Sequence, residues 1–272
     1  MFTKSIKLKS FNIKKNKKNV KKKLQLFLKE KNELNKSLSK NYKDKYNLKR
    51  IKGKKNFRLI GMGGSILGSQ AIYNFLKSKI DKNFLFFNNL KTNEKINKKE
   101  KFTNLIISKS GNTLETISNV NILINNKDEN VFITENKTSY LTNLAKKLKS
   151  EIVHHNNFIG GRYSVLSEVG MLPAELMGLD PKKFRQFDNL IKNKKFLNLL
   201  IHNTGAILHY SKNKKFNSII INYDQKSDYL FQWYQQLVAE SLGKKGKGIL
   251  PIISTMPKDN HSVMQLYLDG FK

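Results

Sequence analysis

Phe57-Arg58-Leu59-Ile60-Gly61-Met62-Gly63-Gly64-Ser65 is an apolar run that stops on glycines. A run this short, bounded by glycine, predicts a buried strand (Phe57 to Gly61) and a tight turn. A helical stretch follows from Leu67 to Leu76, then a second apolar run, Phe84 to Phe87. The rhythm repeats with Leu105-Ile106-Ile107, a helix from about Thr113 to Leu123, Val131 to Ile133, a helix over Tyr140 to Leu148, and Ile152-Val153. Parallel strands need a crossover between them, and helices supply it. The spacing therefore predicts an α/β fold with a parallel sheet covered by helices on both faces.

Outward from this block, residues 1–52 carry the runs Lys14-Lys15, Lys17-Lys18 and Lys21-Lys22-Lys23 and the apolar stripe Val20, Leu24, Phe27, Leu34 and Leu38. The stripe predicts an amphipathic helix packed on something, with a solvated basic face. Past the loop at Asn156 to Arg162 comes a mostly helical stretch punctuated by Pro173 and Pro181. A second alternation then follows: a strand over Ser218 to Ile221, a helix over Tyr229 to Leu242, a strand over Ile249 to Ile253, and a helix containing Val263, Leu266 and Leu268. More strands are expected in a complete parallel domain, so the second block reads as unfinished. The division is a basic helical segment over 1–52, a first α/β domain over 53–157, a helical connection over 158–194 and an incomplete second α/β domain over 195–272. No low-complexity linker or short-period repeat interrupts it.

The chain has 272 residues, 39% of them hydrophobic, enough for a core of real size. It contains no cysteine, which excludes disulfides and thiolate metal sites and suits a reducing compartment. Neither a secretory h-region nor a run of about 18 apolar residues is present, so a cytoplasmic protein without membrane attachment is expected. The net charge of +32 would ordinarily point to nucleic acid. Yet only Arg50, Arg58, Arg162 and Arg185 are arginines, and arginine is the residue suited to forked phosphate and base contacts. The excess is lysine spread over the whole chain, as an AT-rich coding sequence would produce. No specific nucleic-acid partner is expected.

Two segments have the makings of anion cradles. Ser108-Lys109-Ser110-Gly111-Asn112-Thr113-Leu114-Glu115-Thr116 lies where a strand ends and a helix begins, so free N–H groups and the positive helix end converge there. Ser108, Ser110, Thr113 and Thr116 add hydroxyl donors and Lys109 adds charge. An ordinary helix cap would use the same residue types. Gly61 to Ser65 also follows a strand and precedes a helix, as in a dinucleotide site. The third glycine of that fingerprint falls on Ile66, however, and the next strand ends in Asn88-Asn89 without the acidic residue expected for the ribose.

Three further residues carry acid–base or charge chemistry. Glu240, in Gln236-Leu237-Val238-Ala239-Glu240-Ser241-Leu242-Gly243-Lys244, is a carboxylate on a helix. Arg162, in Gly160-Gly161-Arg162-Tyr163-Ser164, is a permanent charge in a glycine loop, and His261, in Asp259-Asn260-His261-Ser262, titrates near neutrality. Together they can take a proton from carbon beside a carbonyl, hold the charge that develops on oxygen and assist ring opening. Nothing in the chain has convincing metal-ligand spacing, and no cofactor is expected.

Taken in order from Gly61 to Gly270, these five segments resemble the phosphoglucose isomerase family. The resemblance implies two sugar-isomerase (SIS-type) domains and interconversion of glucose 6-phosphate and fructose 6-phosphate through a cis-enediol, without cofactor, in glycolysis and gluconeogenesis. It casts Glu240 as the base that moves a proton between C1 and C2, Arg162 as the charge beside the enediolate, and His261 as the ring-opening group, entering a partner subunit's site in a homodimer. It casts Ser108, Lys109, Ser110, Thr113 and Thr116 as contacts of the 6-phosphate, and Gly64 and Ser65 as contacts of the sugar. The family also carries a later segment with a substrate-binding lysine that has no counterpart here, so the sequence reads as a fragment. An isomerase of a related sugar phosphate such as mannose 6-phosphate, and a sugar-phosphate-binding module without turnover, are the alternatives.

Overall fold

The structure, a computed structural model, describes residues 9, 11–13, 15–90, 101–124 and 127–270. Lys14 and the first eight residues of the basic segment lie outside them. The single amphipathic helix expected near the amino terminus is two helices, α1 (Lys17–Lys29) and α2 (Glu33–Ser37). The break is made by asparagines. Asn32 Oδ1 accepts the Asn35 N–H at 2.8 Å and caps α2, and the Asn35 amide donates to the carbonyls of Phe27 and Glu30 at 2.9 and 2.8 Å. Both orphaned helix ends thereby find partners at the same place. Of the apolar stripe only Val20 is fully buried.

Five strands form one parallel sheet: β1 (Asn56–Gly61), β2 (Asn83–Phe87), β3 (Thr103–Ile107), β4 (Glu129–Thr134) and β5 (Glu151–His154), in the order β2-β1-β3-β4-β5. The crossover helices are α3 (Leu67–Phe75), α4 (Leu114–Leu123) and α5 (Tyr140–Lys147). A fourth covering helix, α6 (Glu168–Leu176), follows the sheet. Strand alternation sorts the core into two layers. Phe57, Leu59, Leu105, Ile107, Val131 and Ile133 pack with α3 and α6, while Ile60, Ile106 and Phe132 pack with Val120 and Leu123 of α4 and Leu141 and Ala145 of α5. Each such side chain removed from water contributes roughly 1.5–3 kcal/mol before entropy is counted.

Pro173, expected as punctuation, sits inside α6. Proline has no N–H to offer the Val169 carbonyl one turn back, and the Ser69 hydroxyl of α3 donates to that carbonyl instead, at 3.4 Å. Pro181 does begin a helix, α7 (Pro181–Phe184), which is followed by α8 (Phe187–Lys192) and the long α9 (Lys194–Lys212). Against α9 the lysine-rich α1 packs, leaving most of its lysines in water.

The second alternation builds a separate parallel sheet of two strands, β6 (Asn217–Asn222) and β7 (Leu250–Thr255), joined through α10 (Asp228–Leu242) and followed by α11 (Met264–Asp269). Two strands cannot enclose a core. Ile219, Ile221 and Leu250 stay 40–54% exposed, and α10 has no fully buried residue. Among the described residues no helix is long and apolar enough to cross a membrane.

Candidate functional site

Because β1 connects outward to β2 and β3 connects the opposite way to β4, the sheet reverses direction between β1 and β3. Ligands of open parallel sheets bind at the carboxyl ends of strands at such a point. The turn after β1 and the loop after β3 flank it, and they are the two segments read above as anion cradles.

The loop after β3 is held in shape by its own hydroxyls. Ser108, almost fully buried, and Thr113 share a hydrogen bond of 2.9 Å, the Ser108 hydroxyl accepts the Gly111 N–H at 3.2 Å, and Ser110 lies 3.4 Å from the Thr113 hydroxyl. Gly111 has φ +66, a left-handed conformation, and a Cβ there would stand 2.1 Å from the Ser139 hydroxyl. Outside contacts brace the loop further: Asn112 Oδ1 accepts the Tyr140 N–H at 2.8 Å, and the Gly111 carbonyl accepts that of Leu141 at 3.0 Å. Thr113 occupies the N-cap of α4 without capping it through its side chain, so the ordinary-cap alternative is not what forms. The Thr116 hydroxyl is buried with no partner. First-turn N–H groups, the hydroxyl cluster and this orphan oxygen all suit an anion at the head of α4. Lys109 is engaged elsewhere, with Glu135 at 3.2 Å and the Asn157 carbonyl at 3.0 Å.

The turn after β1 meets the loop at 160–166 face to face. Gly64 lies so close that a Cβ would stand 2.4 Å from the Gly161 carbonyl carbon and oxygen and 2.6 Å from the Arg162 nitrogen. These are backbone atoms and cannot turn aside. Gly64→Ala is therefore expected to destabilise the chain by about 1–3 kcal/mol through overpacking and to displace Arg162. Thermal unfolding and turnover, measured together, check it. Ser65 sits half-buried in the same turn.

Arg162, Glu240 and Ser241 converge on this turn. Arg162 Nη1 donates to Glu240 Oε1 at 2.9 Å, and Nε donates to the Ser241 hydroxyl at 2.9 Å. That hydroxyl also lies 2.7 Å from the Tyr163 hydroxyl. Burial pushes the Tyr163 phenol up, but Ser241 and the Arg162 charge outweigh it and leave the phenol below its ordinary value. Gln236, one turn before Glu240, donates to Oε2 at 3.2 Å, and Trp233 Nε1 donates to the Arg162 carbonyl at 3.3 Å. Arg162 is 17% exposed at its side chain and Glu240 53%. The pair thus sits with the cation inward and the carboxylate on the open side. Gln236, Ser241, Trp233 and Tyr163 were not singled out from the sequence. Spacings of four and seven residues before Glu240 place Gln236 and Trp233 on its helix face, a signal that was present.

His261 is exposed on the turn after β7 and makes no hydrogen bond or ion pair with Glu240 or Arg162. Its turn is organised by Asp259, which accepts from the Ser254 hydroxyl at 2.9 Å and the Thr255 N–H at 2.8 Å. Those bonds and Lys258 hold the Asp259 carboxyl below its usual range. Among the described residues no group of three or more His, Cys, Asp or Glu side chains is placed to hold a metal ion.

His155, at the start of the loop that delivers Arg162, is buried, and desolvation lowers its pKa from 6.5. The unfolded chain takes up a proton there before the folded one does. The stability this gives is complete above about pH 6.5 and is lost progressively as pH falls from there through the folded value. His155→Phe is expected to flatten the acid side of a plot of Tm against pH, which calorimetry reads directly.

A family model described as Phosphoglucose isomerase matches residues 7–250. The glucose-6-phosphate isomerase of Methanocaldococcus jannaschii is 38% identical over 248 residues, covering 84% of this chain and 60% of that protein. That of Campylobacter jejuni is 35% identical over 245 residues, covering 80% and 58%. The crystal structure of a glucose-6-phosphate isomerase from Chlamydia trachomatis superposes with a TM-score of 0.64 at 21% identity, over 81% of this chain and 49% of that one, a likeness of fold. The chain spans between 54 and 60% of the length of these and other curated relatives.

Proposed function

Since the chain belongs to the phosphoglucose isomerase family, we propose that it carries the site for reversible isomerisation of glucose 6-phosphate and fructose 6-phosphate through a cis-enediol. The observation that carries this reading is the Arg162–Glu240 pair on the turn after β1, on the strand that borders the sheet's switch point. In this reading the 6-phosphate sits at the head of α4 on the hydroxyls of Ser108, Ser110, Thr113 and Thr116, with Lys109 at its edge. Gly64 and Ser65 line the sugar.

Glu240 removes the C2 proton of the open-chain aldose, and the electron pair moves into the C1–C2 bond as O1 gains a proton. Returning the proton to C1 as O2 gives up its own proton, which balances the one gained by O1, re-forms the carbonyl at C2. One carboxylate is base and then acid, so no net charge or electron is gained or lost. Arg162, only 17% exposed at its side chain, holds the oxygen charge that develops between the two steps. His261 of a second copy of the chain opens the ring, which makes the working unit a homodimer, placed in the cytoplasm. The exposure of His261 on its own turn leaves it available for that role.

The test is NMR-detected conversion of fructose 6-phosphate, with mannose 6-phosphate offered in competition. Formation of glucose 6-phosphate as the sole aldose is expected. Preferential consumption of mannose 6-phosphate would replace the substrate assignment, and tight binding of both sugars without conversion would replace the enzyme by a binding module.

A further inference from the structure

Glu135 directly follows β4, the strand beside the one that ends in the hydroxyl loop, and is only 9% exposed. Lys109 Nζ pairs with its Oε1 at 3.2 Å, and Lys137 Nζ with its Oε2 at 2.6 Å. Its backbone N–H donates to the Lys109 carbonyl at 3.1 Å, and that carbonyl also accepts from the Thr134 hydroxyl at 3.3 Å. Lys109 is thus fixed at both its backbone and its ammonium. The ammonium goes on to donate to the Asn157 carbonyl at 3.0 Å, in the loop that leads to Arg162. Burial pushes the Glu135 carboxyl up, but Lys137 and Lys109 more than offset this and hold it below its usual range.

We infer that Glu135 is a positioning residue. Acting through Lys109, it locks the hydroxyl loop after β3 to the loop that delivers Arg162, so that the two halves of the site keep one spacing. The inference rests on reading Ser108 to Thr116 as the phosphate cradle. Its sign separates it from simple electrostatics, because a carboxylate near an anion site repels the anion. Removing that carboxylate should tighten phosphate binding if charge alone mattered, and should weaken it if position matters.

The experiment is calorimetric titration of the full chain with fructose 6-phosphate and, separately, inorganic phosphate, with thermal unfolding recorded for each variant. Glu135→Gln is expected to weaken both ligands about tenfold, within the range for coupled neighbours. Lys109→Met is expected to do the same and serves if Glu135→Gln does not fold. The double variant should lose no more than either single one. Glu135→Asp keeps the charge, and the flexible lysine stems can follow it, so recovery to within about threefold of the parent is expected. Unchanged or tighter binding in Glu135→Gln, or additive losses in the double variant, would overturn the inference and leave the site intact. A parent chain that binds neither ligand would overturn the cradle itself, and the inference with it.

Discussion

Glu240→Gln is expected to lower conversion of fructose 6-phosphate by on the order of a thousandfold, the loss typical of a positioned proton-transfer group. The substitution keeps the shape and an oxygen that Arg162 Nη1 can still reach, so stability should change by less than about 0.5 kcal/mol at so exposed a position. Binding of the sugar phosphate should survive, because the hydroxyl loop does not touch Glu240. Activity assayed beside ligand titration separates the two effects: lost turnover with retained affinity marks a group that acts on the reaction.

Arg162→Lys is expected to be nearly as damaging, by about a hundredfold in kcat, the loss seen when one preorganised charge donor is removed. Lysine keeps the charge but not the fork. It cannot reach Glu240 and the Ser241 hydroxyl at once in the geometry that Nη1 and Nε hold. Nη2, which makes no hydrogen bond among the described residues, disappears too, and with it a donor left over for a ligand oxygen. Steady-state kinetics should show kcat falling much further than KM rises.

How much of this was legible beforehand depends on what each element rests on. Buried parallel strands are continuous apolar runs, so β1 through β5 stood out in the sequence, and the helices between them followed from the crossover they must make. The break between α1 and α2 did not stand out, because it rests on the two side-chain amides of Asn32 and Asn35 rather than on periodicity. In the site, the family resemblance drew the reading to Glu240, Arg162 and His261; the structure joins the first two and gives His261 no hydrogen bond to either. Gln236, Ser241 and Trp233, which orient them, are neutral and blend into an amphipathic helix. The Lys109–Glu135 contact was hidden for another reason. It joins segments 26 residues apart that meet only because β3 and β4 are neighbours, and strand order is not written in either segment.

The measurement that bears most directly on the central claim is solvent exchange. Fructose 6-phosphate is incubated with the chain in D2O, and deuterium at C1 is followed by NMR, alongside Glu240→Gln. The account predicts deuterium entering C1 with the parent chain and at least about a hundredfold more slowly with the variant. Equal exchange in the two, or none with a parent chain that binds the sugar phosphate, would contradict the assignment of Glu240 as the proton-transfer group.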